Sequence, residues 1–338
     1  MTMFASVADF EAALSSLPKA DAASIAEAAA RQASLTKPAG SLGRLEDLAL
    51  FFAGWQRTAR PALARGRVAI FAGNHGVAAR GVSAFPPEVT AQMVANFRRG
   101  GAAINALAAA AGLELEIVAL ELERPTADFT QGPAMTPEEC LRALQAGARA
   151  AAGNIDLLVV GEMGIANSTA AAALSGASYG GSAGDWTGRG TGVDDTTLQR
   201  KIAVVSEGIA RHAGHATSAF ELLRRLGGRE IAAIAGAVLA ARQRRIPVML
   251  DGFIACSALA PLARHAPDIT AHCLAGHVSA EPGHRRLLGA LGLSPLLDLG
   301  MRLGEGSGAA VAVNLVRSAL AAHEGMATFE EAMVATAS

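Results

Sequence analysis

The stretch IDLLVVGEMGIANSTAAAAL, residues 155–174, decides the fold. Its first seven residues form a nearly unbroken apolar run, as a strand covered on both faces requires. Residues 162–169 then mix glycine, asparagine and hydroxyl side chains with one carboxylate, and the alanines from Ala170 read as helix. Strand, polar glycine loop and helix make one unit of a parallel doubly wound sheet. Four other runs repeat the unit's first part: VAIFAG at 68–73, LEIVAL at 115–120, IPVMLDG at 246–252 and ITAHCLAG at 269–276. Helical periodicity fills most of the intervals between them.

The flanks read differently. Residues 7–34 predict two alanine-rich helices broken near Pro18, and a third starts after Pro38 with Ser41 as its N-cap, carrying Leu42, Leu45, Ala49 and Phe52 on one face. Leu198, Ile202, Val205 and Ile209 share a face of a helix that follows the capping cluster Asp194-Asp195-Thr196. The last long helix runs from Ser307 to about His323, and residues 325–338 predict another short one. The fold class is therefore α/β: a Rossmann-like doubly wound parallel sheet with a small helical domain built from both termini. Its parts are residues 1–60, 61–304 and 305–338.

Composition narrows the function. Lys and Arg number 29 against 30 Asp and Glu among 338 residues, so no basic field selects nucleic acid or anionic membrane. Hydrophobic residues at 51% against 17% charged exclude intrinsic disorder. Cys140, Cys256 and Cys273 are an odd, scattered set, which argues for a reducing compartment and against a thiolate metal site. The first twenty residues lack a basic start followed by an apolar stretch, and the longest uncharged run is rich in Gly, Ser and Asn. A cytoplasmic chain without a membrane span is the expectation.

In such sheets ligands bind where strands end, so the residues after each run carry the chemistry. They are Asn74-His75-Gly76, Glu162 to Thr169, Asp251-Gly252-Phe253 and His277 to Glu281, with Gly304-Glu305-Gly306-Ser307-Gly308 opening the last long helix. One such break is an ordinary turn; five converging on one edge make a cavity of backbone amides, small polar groups and carboxylates. Only Lys19, Lys37 and Lys201 occur among the 29 basic residues. Lys201 follows the turn Gly188-Arg189-Gly190-Thr191-Gly192, whose amides can nest an anion while the ammonium supplies a point charge; an exposed helix residue after a surface loop is the other reading. Lys37 reads equally as a surface charge. Gly176-Ala177-Ser178-Tyr179-Gly180 matches a nucleophile elbow but follows helix instead of strand. No GxGxxG follows a strand, and His272, His277 and His284 lack metal-ligand spacing.

Taken together, TKPAGSLGRLEDLA, NHGVAARGVSAFPPEVTAQMV, GEMGIANSTAAAAL, GRGTGVDDTTLQRKI, VMLDGFIACSALA, HVSAEPGH and MRLGEGSGAAVAVNLV, spanning residues 36–316, resemble the nicotinate-nucleotide–dimethylbenzimidazole phosphoribosyltransferase family. The resemblance implies phosphoribosyl transfer from nicotinate mononucleotide to a benzimidazole-type azole in cobalamin lower-ligand synthesis, by a cytoplasmic homodimer with no metal or redox cofactor. It implies Glu305 as catalytic base. Glu162, Met163, Gly164, Ile165, Ala166, Asn167, Ser168, Gly190, Thr191, Gly192 and Lys201 are implied on the phosphate and ribose side, and Phe85, Pro86, Met93 and Leu303 around the benzimidazole. Asn74, His75 and Asp251 complete the candidates. Asn74 stands where the family often has Asp, and GIANST replaces the commoner GIGNTT. A transferase using another azole, a nucleotide- or azole-binding protein without turnover, and a metal hydrolase are the rival readings.

Overall fold

In the computed structural model, which describes residues 3–190 and 192–335, every strand runs parallel to its neighbours. The strands are β1 (Gly66–Ala72), β2 (Leu113–Ala119), β3 (Leu157–Met163), β4 (Val248–Leu250), β5 (Cys273–His277) and β6 (Pro295–Leu297). Their order across the sheet is β2-β1-β3-β4-β5-β6, a doubly wound arrangement whose winding reverses between β1 and β3. β6 carries only three residues, one of them proline, which is why its stretch shows no apolar run. The first half of the run at 269–276 is a 3₁₀ turn, Pro267–His272, so β5 starts only at Cys273.

Helices α1 (Val7–Ser15), α2 (Ala22–Ser34) and α3 (Arg44–Gln56) precede the sheet. α4 (Glu88–Arg99) and α5 (Ala103–Ala110) join β1 to β2, and α6 (Pro137–Ala150) leads to β3. Between β3 and β4 lie α7 (Asn167–Tyr179), α8 (Ala183–Trp186), α9 (Asp195–His212), α10 (Ala219–Leu226) and α11 (Arg229–Gln243). α12 (Phe253–Ser257), α13 (Ala260–His265), α14 (Pro282–Ala290) and α15 (Ser307–Gly325) complete the chain. α3 is not capped by Ser41: its N-cap is Gly43, and the Glu46 carboxylate reaches back to the Leu42 amide at 3.0 Å. That carboxylate also takes Lys37 at 2.8 Å, leaving only 5% of the lysine side chain exposed, so Lys37 is no surface charge. No helix follows α15 among the described residues. The chain instead turns at Thr328, which bridges Leu35 antiparallel.

Strand periodicity sorts the core. Ala69, Phe71, Leu158, Val160, Val248 and Leu250 face one apolar layer, with α6, α7 and α11. Val68, Ile70, Leu157, Val159 and Met249 face the other, with α3 and α15. Both chain ends meet there: Arg31 of α2 donates to the His323 and Glu324 carbonyls at 2.9 Å each. α1 sits apart, with Phe10 and Leu14 in the first layer.

α6 and α11 touch through Gly147, where a methyl group would lie 1.7 Å from the Ala233 carbonyl oxygen. Gly147→Ala is expected to cost about 1–3 kcal/mol, because two packed backbones must separate to admit it. A denaturant melt with an unchanged midpoint would contradict this packing.

Candidate active site

Glu305 owes its position to an uncommon turn. Gly304, Glu305 and Gly306 all have positive φ (81°, 61° and 74°), a conformation costing a non-glycine residue about 1–2 kcal/mol. The turn is pinned from beneath by Asp251, at the end of β4, whose carboxylate accepts from the Gly306 amide at 3.1 Å and the Ala309 amide at 2.9 Å. Close approach does the rest. A side chain at Gly161 would lie 2.5 Å from the Gly306 nitrogen, and one at Gly308 would lie 2.2 Å from the His277 ring. The start of α15 therefore rests directly on the sheet, and the Glu305 carboxylate faces a cleft at the ends of β3, β4 and β5. Burial, then the nearby Asp251 charge, pushes Glu305 up to about 7.

The crevice between β1 and β3, where the winding reverses, is closed instead. A methyl group at Gly164 would lie 2.7 Å from the Gly73 carbonyl oxygen, so the two loops touch and the opening shifts toward β4 and β5. Beneath this contact His75 Nε2 lies 2.6 Å from Glu230 Oε1, both buried.

Against the same turn, its Oε1 2.6 Å from where a methyl group at Gly304 would lie, Glu162 accepts from Asn167 Nδ2 at 2.5 Å. Burial pushes Glu162 up to about 8 against that hydrogen bond, with help from the Asp251, Glu230 and Glu305 charges. α7 starts here with no side chain capping it, so its first amides and the positive end of its dipole favour an anion. Its N-cap, Ala166, has φ 72°. A glycine suits that conformation, and alanine holds it at a cost of about 1–2 kcal/mol. Lys201 extends from α9 into the same region, buried, its Nζ donating to Ser168 Oγ at 2.8 Å and to the Gly188 carbonyl at 3.0 Å. Burial pushes its ammonium down to about 8, partly opposed by Glu281.

Residues 162–168, Gly190, Lys201, Leu303 and Glu305 thus line one cleft. Gly192 borders an adjoining hollow, and Thr191 lies outside the described residues. Phe85 and Pro86 are exposed, on the segment after Val82 and Ser83, which do line the cleft. Met93 is half-buried on α4, packed against the α3 and α15 layer. Of the four residues implied around the benzimidazole, only Leu303 is therefore on the cleft wall. Asn74 is off it, donating from Nδ2 to the Leu122 carbonyl at 2.9 Å. An aspartate there has no such donor when ionised. Asp251 stands behind Glu305, and His75 under the Gly73–Gly164 contact.

Sequence reasoning missed Glu230, which no strand end announces because α11 packing alone brings it beside Gly73. It also left His277, Ser279 and Glu281 unassigned, though they end or follow β5 and line the cleft. Glu281 was legible as the one carboxylate of that loop. Arg189 and Arg302 also line the cleft. Ser178 lies inside α7, with no strand before it. His272 is committed to the Val238 carbonyl at 3.0 Å, and His284 to the Ser279 amide at 2.8 Å. No group of three His, Cys, Asp or Glu side chains among the described residues could hold a metal ion.

Glu305, the buried Lys201 ammonium and the uncapped start of α7 share one cleft of a doubly wound α/β fold, an arrangement suited to a substrate that carries an anionic group. The family model described as "Phosphoribosyltransferase" matches residues 17–334, and the chain belongs to that family. A nicotinate-nucleotide–dimethylbenzimidazole phosphoribosyltransferase from Novosphingobium aromaticivorans is 67% identical over 99% of both chains. One of the same name from Cereibacter sphaeroides is 59% identical over 98% of both. The crystal structure of CobT from Thermus thermophilus superposes with a TM-score of 0.88 at 45% identity, covering 93% of this chain and 100% of that one.

Proposed function

We propose that the chain transfers the phosphoribosyl group of nicotinate mononucleotide to dimethylbenzimidazole, giving nicotinate and α-ribazole phosphate for the lower ligand of cobalamin. The observation that carries the reading is Glu305 facing the same cleft as Lys201 and the α7 start. The nucleotide's phosphate occupies the α7 amides and Lys201, which fixes the anomeric carbon between the two walls. The C1′–pyridinium bond breaks, and the leaving nicotinate ring becomes neutral without a general acid. The azole nitrogen forms the new bond to C1′, and Glu305 takes the proton from the other ring nitrogen. Glu305 suits this role better than Glu162 because the Glu162 carboxylate is engaged by Asn167 Nδ2, whereas no hydrogen bond to a described residue holds the Glu305 carboxylate. Glu162 lies on the ribose side of this proposal.

Residues 162–168, Gly190, Thr191, Gly192 and Lys201 form the phosphate and ribose side of this proposal. Phe85, Pro86 and Met93 form the azole side of this proposal by resemblance, and the cleft wall supports Leu303 alone among the four. The helical parts 1–60 and 305–338 flank the sheet-bearing part 61–304 in the same reading, as a cytoplasmic homodimer. No described helix is long and apolar enough to cross a membrane.

Incubation with nicotinate mononucleotide and dimethylbenzimidazole tests the reaction: nicotinate and the riboside phosphate must appear together. The pH profile tests the roles. In the free enzyme kcat/KM is expected to rise with pH through about 7, as Glu305 loses its proton, and to fall above about 8, as Lys201 loses its charge. A profile flat across neutrality removes both groups from these roles.

A further inference from the structure

Asp251 is a buried carboxylate that the reaction above does not use. It is 1% exposed, and its two oxygens accept from the Gly306 and Ala309 amides, at the end of the turn that carries Glu305 and in the first turn of α15. Its remaining neighbour is His277 Nε2, 3.5 Å from Oδ1. Glu305 has a strained backbone, and among the described residues no hydrogen bond holds its carboxylate in the cleft.

We propose that Asp251 is a positioning residue for phosphoribosyl transfer, holding the Gly304–Gly306 turn left-handed so that the Glu305 carboxylate stays against the reacting azole. The proposal rests on the reading of Glu305 as the base. Asp251 also acts through charge. The ionisable groups around Glu305 are Asp251 after β4, Glu162 on β3 and, lining the same cleft, His277 on β5, Lys201 on α9, Glu281, Arg189 and Arg302. The Asp251 charge resists loss of the Glu305 proton, beside the mutual repulsion of Glu305 and Glu162, and it strengthens that base at the cost of raising the pH at which it ionises.

The test compares wild type, Asp251→Asn, Asp251→Ser, Glu305→Gln and the Asp251→Asn/Glu305→Gln double variant, using nicotinate mononucleotide and dimethylbenzimidazole from mildly acidic to alkaline pH. Asp251→Asn is expected to lower kcat about ten- to hundredfold, since a small misplacement of a reacting group has effects of that order. KM for nicotinate mononucleotide is expected to stay within about threefold, because Lys201 and α7 are untouched. The acid limb should move to lower pH as the Asp251 charge is removed, a shift that general loosening of the fold does not produce. The double variant should be no slower than Glu305→Gln alone, because Asp251 acts through Glu305. Asp251→Ser, whose hydroxyl can still accept from one amide, should behave like Asp251→Asn.

Folded Asp251 variants with unchanged kcat and an unmoved acid limb overturn the proposal, as does a double variant that multiplies the two losses. In the wild-type chain itself the Gly306 and Ala309 amides must exchange slowly with solvent; fast exchange overturns the proposal whether or not any variant folds. Wild type inactive on this substrate pair overturns the transfer reading together with this proposal. Active wild type beside an indifferent Asp251→Asn overturns this proposal alone.

Discussion

Glu305→Gln is expected to lower kcat by about 10²-fold or more, the low end of what a positioned general base contributes. Glutamine keeps the shape of the side chain and the left-handed turn around it, but it cannot accept the azole proton. The azole's other ring nitrogen then keeps its proton through the transition state, and the product forms as a cation in a buried site. KM for nicotinate mononucleotide is expected to change little, because the proposed phosphate site, at α7 and Lys201, is left untouched. The acid limb near 7 should vanish with the carboxylate, since the titrating group is gone. Steady-state kinetics with both substrates varied decides the matter: full turnover in the glutamine variant removes Glu305 from proton transfer.

Lys201→Ala is expected to lower kcat/KM for nicotinate mononucleotide about 10- to 100-fold, because a charge-assisted contact to phosphate contributes roughly 1.5–3 kcal/mol. The alanine also empties the space of a buried side chain and leaves Ser168 Oγ and the Gly188 carbonyl without their donor. Lys201→Met separates the two effects by filling the stem's volume without the charge. The informative ratio is nucleotide against dephosphorylated riboside. Wild type should prefer the nucleotide strongly, and both variants should lose most of that preference. Equal preference in all three proteins would place the phosphate elsewhere.

The chemistry of the site was legible wherever a functional side chain follows a strand or a glycine turn directly. Glu162 ends β3, Asp251 ends β4 and Glu305 stands between two glycines. Lys201 was legible for another reason, as one of three lysines in a chain that otherwise uses arginine. The azole pocket was not. Phe85, Pro86 and Met93 came as a group by resemblance, yet they sit on an exposed segment and on α4, where sequence adjacency does not decide which side chain turns inward.

The amino-acid sequence alone determined the parallel sheet, because strands covered on both faces must be apolar without interruption while helices keep a 3.6-residue period. That contrast is local and survives without any knowledge of neighbours. The start of α3 after Gly43, the three-residue β6 and the absence of a described helix after α15 depended on contacts beyond the local pattern: Glu46 on Leu42 and Lys37, β6 on β5, and Thr328 on Leu35. Only the tertiary structure decided that the β1–β3 crevice is closed, that Glu230 lies beside His75, and that Asp251 holds the turn of Glu305 across 54 positions of chain. Such pairings arise from how layers of helix pack on the sheet. Packing depends on the shapes of whole faces, which no short window of sequence contains.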